Sequence, residues 1–181
     1  MPTLVFDSSP LSCFARSGRL VLLEKLTTGY ERVTTRAVIN ELEQGCADFP
    51  SLQDALTLPW IKPVPVDGLD ELRLFAEYSR RLVAGERNVG EASVLAWAET
   101  NAGIALIDDQ AAAQVGRERG VEVKRTLAII ARGVRVRLLP RGDAAVLVDD
   151  LVRVGARFPC TGGEFVAWAT AVGLLGGDEP G

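Results

Sequence analysis

Five acidic residues fall at positions where a parallel sheet would bring them together. They are Asp7, Glu41, Glu91, Asp108 and Asp109. One follows the apolar run 3–6, two stand side by side after the apolar run 104–107, and two lie in segments with helical spacing. Because open parallel sheets bind ligands beyond the carboxyl ends of their strands, the five carboxylates are candidates for one site.

Such a cluster is unstable without a positive partner, because like charges repel and burial raises the cost of ionising them. A ligand set made only of oxygens favours a hard divalent ion, Mg²⁺ or Mn²⁺. Ions of this kind activate water and stabilise the charge that develops on a phosphoryl group. The chain has no histidine, which excludes Ser-His-Asp and Cys-His hydrolysis but leaves this chemistry open.

Each acid also has a purely structural alternative. Asp7 suits a turn, and Glu41 suits a solvent-exposed helix face. Glu91 suits the first turn of a helix, where the dipole favours a negative charge. Either Asp108 or Asp109 suits the N-cap of the next helix. The joint pattern, more than any one position, favours a common site.

The elements that must position these acids alternate between strands and helices. Short segments at residues 3–6, 30–35, 104–107 and 121–123 predict strands, and the segments between them have helical spacing. Strands that are apolar throughout are typical of a parallel sheet covered on both faces. The sequence therefore predicts an α/β fold in three layers around a central, mainly parallel sheet.

Further segments are expected to extend this core. Residues 60–67 contain two prolines and predict an edge strand or a connection. Residues 68–86 predict a long amphipathic helix. Its apolar face is expected to comprise Leu69, Leu72, Phe75, Ala76 and Leu82. Pro140 suits the start of another helix, and no linker divides the chain. We expect one domain over residues 1–175 and a disordered tail over 176–181.

The composition of the chain indicates in which compartment we expect the protein and whether it could span a membrane. The chain has 181 residues, a net charge of −4 and no apolar run of transmembrane length. Its three cysteines lie far apart without metal-ligand spacing, which favours free thiols and a cytoplasmic protein. The three tryptophans, Trp60, Trp97 and Trp168, are expected in the core or in an interface.

The densest positive run of this acidic chain is a candidate for contacts with phosphate groups. Its members are Lys124, Arg125, Arg132, Arg135, Arg137 and Arg141. Arg16 and Arg19 are weaker candidates. The alternative for each is a solvated helix face or a surface ion pair.

Four stretches together resemble the PIN-domain ribonucleases, in particular the VapC-like toxins and their close relatives. They are LVFDSSPL, VTTRAVINELEQG, GEASVLAWA and IALIDDQAAAQVGRERGVEVKRTLAIIARG, and they span about the first three quarters of the chain. The resemblance implies an α/β/α sandwich and hydrolysis of RNA phosphodiester bonds that depends on Mg²⁺ or Mn²⁺. It also implies a homodimer and, for a toxin, a small antitoxin protein as partner.

When the family's metal-binding positions are matched to this sequence, the resemblance implies that Asp7 is the first metal-binding acid, Glu41 the second and Glu91 the third. Asp108 or Asp109 is the fourth, and Ser8 is expected to touch a water molecule or the phosphate.

The chain departs from the family pattern in three places. Glu91 stands where the third acid is commonly Asp, and Leu106 or Ile107 stands where many members have Thr or Ser. The C-terminal part has no counterpart in the resemblance. A PIN-like binding protein without catalysis is therefore an alternative. A phosphatase or a phospho-accepting receiver is less favoured, because DSS at residues 7–9 lacks the second acid that a phosphatase uses.

Overall fold

Five parallel strands form one sheet in the part of the chain that the structure, a computed structural model, describes: residues 1–82 and 88–176. In chain order they are β1 (Thr3–Phe6), β2 (Glu31–Thr35), β3 (Lys62–Val64), β4 (Ile104–Leu106) and β5 (Glu122–Lys124). Their spatial order is β3-β2-β1-β4-β5. The predicted α/β class and the parallel sheet are confirmed.

Helices connect and cover the strands. In chain order they are α1 (Ser8–Arg16), α2 (Leu20–Leu26), α3 (Arg36–Gly45), α4 (Leu52–Leu56), α5 (Leu69–Arg81), α6 (Val89–Thr100), α7 (Gln110–Glu118), α8 (Thr126–Arg135), α9 (Arg141–Arg153) and α10 (Phe165–Ala171). With its flanking helices, the sheet forms the middle layer of a three-layer α/β/α fold, as the sequence predicted.

The strand order creates a crevice at the carboxyl end of β1. The chain moves from β1 outward to β2 and β3, then returns to β4 on the other side of β1. Phe6 pairs with Thr34 on one side and with Leu106 on the other. The residues that follow these strands therefore emerge at the same level, at the point where the strand order reverses and ligands of such sheets bind.

The core explains why the strands are apolar on both faces. Leu4, Val5 and Phe6 of β1 are fully buried, and so are Ala105 and Leu106 of β4. Helix α6 contacts β1, β2 and β4 as well as α3, α5 and α7. Its buried residues run almost all around it, which is the pattern of a helix enclosed by protein.

Local signals fix several boundaries. Gly18 has φ +68°, a conformation that favours glycine, and separates α1 from α2. Thr35 is the N-cap of α3, and its side chain accepts a hydrogen bond from the Val38 N–H at 3.3 Å. Strand β3, which contains Pro63, is an edge strand as predicted. Pro140 directly precedes α9.

The apolar face predicted for residues 68–86 is wrong at Leu69, Leu72 and Ala76, which are exposed, whereas Phe75 is half-buried and Leu82 is buried. Leu69 and Leu72 are 88% and 47% exposed, because α5 is covered mainly by α6, and α6 does not bury the first turns of α5. The helix packs on α6 through its later part, where Tyr78 is fully buried. Residues 83–86 of the predicted helix and 177–181 of the predicted tail lie outside the described residues. None of the described helices combines the length and the hydropathy needed to cross a bilayer.

Candidate active site

A pocket of about 660 Å³ opens at the carboxyl end of the sheet. Four of the five predicted acids line it: Glu41, Glu91, Asp108 and Asp109. The fifth, Asp7, is fully buried directly before Ser8, which also lines the pocket. The structure therefore brings together acids from four separate segments, as the sequence predicted from their positions after strands and in helices.

Asp7 is held at the junction of β1 and α1. It is the N-cap of α1, and its Oδ2 accepts a hydrogen bond from the Ser9 N–H at 3.3 Å. Its Oδ1 is buried and has no hydrogen-bond partner among the described residues. Burial, with the charges of Glu91 and Glu41 adding to it, raises the pKa of Asp7 well above its ordinary value.

Glu41 can approach the start of α6 because the second residue of that helix is a glycine. The Glu41 Oε1 accepts a hydrogen bond from the Gly90 N–H at 2.7 Å. A Cβ atom at position 90 would lie 2.5 Å from Glu41 Oε2, so glycine makes the close approach possible. This N–H belongs to the first turn of α6, where amide groups lack helical partners and favour negative charge.

Glu91 is the next residue of α6 and faces the same pocket. Its Oε2 is buried without a hydrogen-bond partner within residues 1–82 and 88–176. Burial, with smaller contributions from the charges of Glu41 and Asp109, raises the pKa of Glu91 to about 7, although its own backbone N–H acts the other way. A half-buried carboxylate with an unused oxygen has room to bind a cation.

The adjacent aspartates, Asp108 and Asp109, have different roles. Asp108 accepts two hydrogen bonds from Thr126, from the backbone N–H at 2.8 Å and from Oγ1 at 2.6 Å. Asp109 is the N-cap of α7, and its Oδ1 accepts from the Ala112 N–H at 2.8 Å. Its charge acts on Glu91 across the pocket. The N-cap alternative therefore holds for Asp109, while Asp108 ties the end of β4 to the start of α8.

The donor set fits a hard divalent cation in its chemistry. The candidate ligands are all carboxylate oxygens, and two of these oxygens are buried without a partner in the described parts of the chain. The side chains are not arranged as a complete set of metal ligands. Across residues 1–82 and 88–176, no group of three or more Asp, Glu or Cys side chains is arranged to hold a metal ion.

A thiol also lines the pocket. Burial, together with the charge of Asp108, raises the pKa of Cys13 to about 11. The thiol is therefore protonated at neutral pH, which argues against a cysteine nucleophile.

The positive run divides between two places. Arg125 lines the acidic pocket and donates from Nη2 to the Asp108 carbonyl oxygen at 2.7 Å. Arg132 instead donates to the carbonyl oxygens of Leu26 and Thr28, near the other end of α8. A separate pocket there is lined in part by Arg135, Arg137 and Arg141. Only the start of the run therefore adjoins the acids.

Two other arginines line the same pocket as the acids. Arg16, a weaker candidate from the sequence, lines it with its guanidinium 3.7 Å from the centre of the Phe49 ring. Arg157 also lines the pocket and was missed, because only the return of α9 toward this end of the sheet brings it there. Arg19 is not in this group and pairs with Asp150 at 2.5 Å.

Sequence reasoning also missed Thr126 and Gly90. The position of Thr126 in the sequence could have indicated its place near the acids, because it begins the helix after β5 at the same end of the sheet as Asp7. The close approach of Glu41 to Gly90 had no signal in the sequence, because it depends on how α3 packs against α6.

Comparison with known proteins identifies the family. A search of curated proteins found no match. A family model described as a PIN domain matches residues 3–161, most of the chain and all five acids. The chain therefore belongs to the PIN-domain family, whose fold is in general that of nucleases.

Proposed function

We propose that this protein is an endoribonuclease that hydrolyses RNA phosphodiester bonds with Mg²⁺ or Mn²⁺ held by carboxylates. The observation that carries the proposal is the pair of buried, unpartnered oxygens, Asp7 Oδ1 and Glu91 Oε2, next to a pocket lined by further acids. Leaving such atoms without a partner costs stability. A cation bound beside them offsets that cost.

The acids divide into ligands and a positioning residue. Asp7, Glu41, Glu91 and Asp109 would hold the ion, since each either retains an unused oxygen or interacts with the others by charge. When bound, the ion would lower the pKa of a water molecule and offset the negative charge of the phosphoryl group. Asp108, with both oxygens engaged by Thr126, fixes the wall of the pocket.

The chain's own cations would orient the substrate. Arg16 and Arg157 line the pocket together with the acids, and Arg125 lies at its edge. Phosphate contacts from arginine position a nucleic acid without reading its sequence. The ring of Phe49 holds the Arg16 guanidinium in place, so less side-chain freedom is lost when a phosphate binds. Ser8 at the mouth of the pocket is placed to touch the phosphate or a water molecule.

The biological role belongs to the same proposal. We propose a toxin of a toxin–antitoxin pair that acts on cytoplasmic RNA, with a small antitoxin as partner and a homodimer as the assembly. The support for the partner and the assembly is the sequence resemblance. The three cysteines are free thiols, which suits the reducing cytoplasm.

The proposal is tested by Mn²⁺-dependent cleavage of RNA by the wild type, Asp7→Asn and the exposed control Asp143→Asn. Asn keeps the N-cap of α1 but loses the charge, so we expect Asp7→Asn to lower the cleavage rate about 100-fold or more. Asp143→Asn should cleave as the wild type does. Equal activity of Asp7→Asn and the wild type contradicts the nuclease proposal.

A second candidate is a PIN-domain protein that binds without catalysis. It is favoured by the incomplete ligand arrangement and by an apolar residue, Leu106 or Ile107, at the place where the resemblance implies Thr or Ser. Calorimetric titration with Mn²⁺ separates the two candidates. Binding that disappears in Asp7→Asn and Glu91→Gln supports the nuclease, and no binding in the wild type supports the second candidate.

A further inference from the structure

We propose that a second pocket beside the active site binds one unpaired nucleobase of the RNA, stacked on Trp168. We call it the base pocket. It is lined by Asp108, Arg117, Val123, Lys124, Arg125, Leu127, Ala128, Phe158, Pro159, Trp168, Val172 and Leu174. The inference rests on the proposed function, because it names how the substrate of that same site is held. Trp168 and the residues after it lie beyond the part of the chain that matches the family model.

The base pocket and the acidic pocket share a wall. Asp108 and Arg125 line both of them. The wall is fixed by the hydrogen bonds from Thr126 to the Asp108 carboxylate and from Arg125 to the Asp108 carbonyl oxygen. A nucleotide whose phosphate lies in the acidic pocket therefore has its neighbour's base within reach of the second pocket.

The lining of the base pocket suits an aromatic ring. The half-buried side chains of Trp168 and Phe158 contribute aromatic surface, and the buried Leu127 contributes aliphatic surface. The sequence favoured a core or interface position for Trp168, and the structure leaves part of its ring open to this pocket. The volume is about 380 Å³, within the range of about 300–1,000 Å³ that is usual for small-ligand sites.

The rim of the base pocket is positive. Arg117, Lys124 and Arg125 line it, and the one acid among the lining residues, Asp108, is engaged by Thr126. Arg117 is exposed and forms no ion pair with any other described residue, while Lys124 pairs with Glu122. Aromatic faces combined with cations are what single-stranded nucleic acids bind, by base stacking and by phosphate contact.

The base pocket is preformed because its C-terminal wall is anchored. Phe165 and Ala169 of α10 are fully buried, and Leu175 after it is buried as well. The Leu174 carbonyl oxygen accepts a hydrogen bond from Arg135 Nη1 at 3.5 Å. Trp168 is therefore carried by a helix packed on α9 rather than by a loose tail.

The test is fluorescence anisotropy with a 5′-fluorescein single-stranded RNA of eight nucleotides in EDTA, where metal-dependent cleavage is absent. We expect Trp168→Ala to weaken binding roughly 5- to 150-fold, the range for losing one stacked base. Trp168→Phe keeps an aromatic face and should remain within about threefold of the wild type. Far-UV circular dichroism of both variants controls for folding.

Two variants that each remove one positive charge complete the experiment. Arg117→Gln should weaken binding and reduce its dependence on salt, while Arg80→Gln, on the exposed face of α5, should change neither. Equal RNA affinity of Trp168→Ala, Trp168→Phe and the wild type overturns the base pocket, and so does equal affinity of the wild type for duplex and single-stranded RNA. Loss of RNA affinity in Trp168→Ala supports the pocket even if no cleavage by the wild type is found, so the two proposals fail separately.

Discussion

The two ends of helix α6 carry carboxylates in opposite conditions. Glu91, in the first turn, faces other acids, has a buried oxygen without a described partner and has a raised pKa. Glu99, in the last turn, accepts hydrogen bonds from Arg119 at 2.8 and 2.9 Å and from the Tyr78 hydroxyl at 2.5 Å. These bonds lower the pKa of Glu99, with Arg119 as the main cause.

The difference separates an acid whose charge is offset within the chain from an acid whose charge is not. At the Glu99 end, Arg119 also pairs with Glu77 at 3.2 Å and lies over the Tyr78 ring, so the negative charges are offset within the chain. At the Glu91 end the arginines stand across the pocket, and none of them is hydrogen-bonded to Asp7, Glu41 or Glu91 in the described structure. An acid cluster that the protein leaves uncompensated is a candidate for a ligand from outside.

The largest expected effect comes from removing one negative charge at either end of α6. Glu91→Gln should lower kcat/KM for Mn²⁺-dependent RNA cleavage about 100-fold or more, because a ligand is lost, without lowering the free energy of unfolding in EDTA. Glu99→Gln should keep kcat/KM within about twofold but lower the free energy of unfolding by about 1 kcal/mol, because it weakens charged hydrogen bonds. Cleavage assays and urea denaturation measure the two quantities.

Equal loss of activity in both variants would break the comparison, because it would mean that α6 as a whole, and not Glu91, supports the chemistry.

The next effect tests how Glu41 is placed. A methyl group in Gly90→Ala must displace the flexible Glu41 carboxylate, since its Cβ would lie 2.5 Å away. We expect cleavage to fall about tenfold, the lower end of the loss that is usual when a residue supporting a metal ligand is changed, while thermal stability changes little.

The matched control is Gly142→Ala, which occupies the same second position in α9 and has open space around its Cβ. It should leave cleavage unchanged and stabilise the protein slightly, by about 0.5–1 kcal/mol. Unchanged activity in Gly90→Ala would show that Glu41 need not approach the start of α6.

The smallest effect is a pH dependence of stability in the metal-free protein. The pKa of Asp7 is raised by folding, so a proton is taken up on folding, and the charged carboxylate destabilises the fold as pH rises. Asp7→Asn should therefore increase the free energy of unfolding in EDTA by about 1 kcal/mol at pH 8. This gain should shrink as the pH falls toward the ordinary Asp value of about 4.

The charge of Glu99 has the opposite effect on the free energy of unfolding, and this effect changes over a lower pH range. Its pKa is depressed in the fold, so its contribution is present above the ordinary Glu value and is lost as the pH falls through the folded pKa. The cost of Glu99→Gln should therefore persist at pH 5 and decline below about pH 4. Thermal melts across pH 3–8 measure both, and identical profiles for the two variants would contradict the contrast.

The sequence predicted the features that depend on neighbours along the chain. Asp7 after β1 and Asp109 after β4 follow from strand ends, and the parallel sheet follows from apolar strands. The exposed leucines at the start of α5 were misassigned because periodicity shows that a helix has an apolar face, not whether another element covers it. Arg157 and the open face of Trp168 could not be predicted, since both depend on where α9 and α10 pack.

Tight packing around α6 fixes the position of one wall of the candidate site. Its buried face uses small residues such as Ala92 and Ala96, and a Cβ on Gly116 of α7 would lie 2.6 Å from a Leu95 methyl. A helix enclosed in this way has no room to slide and let Glu91 retreat from Asp7. The main-chain separation of Asp7 and Glu91 is thus set when the protein folds, so a cation that bound there would have only side chains to rearrange.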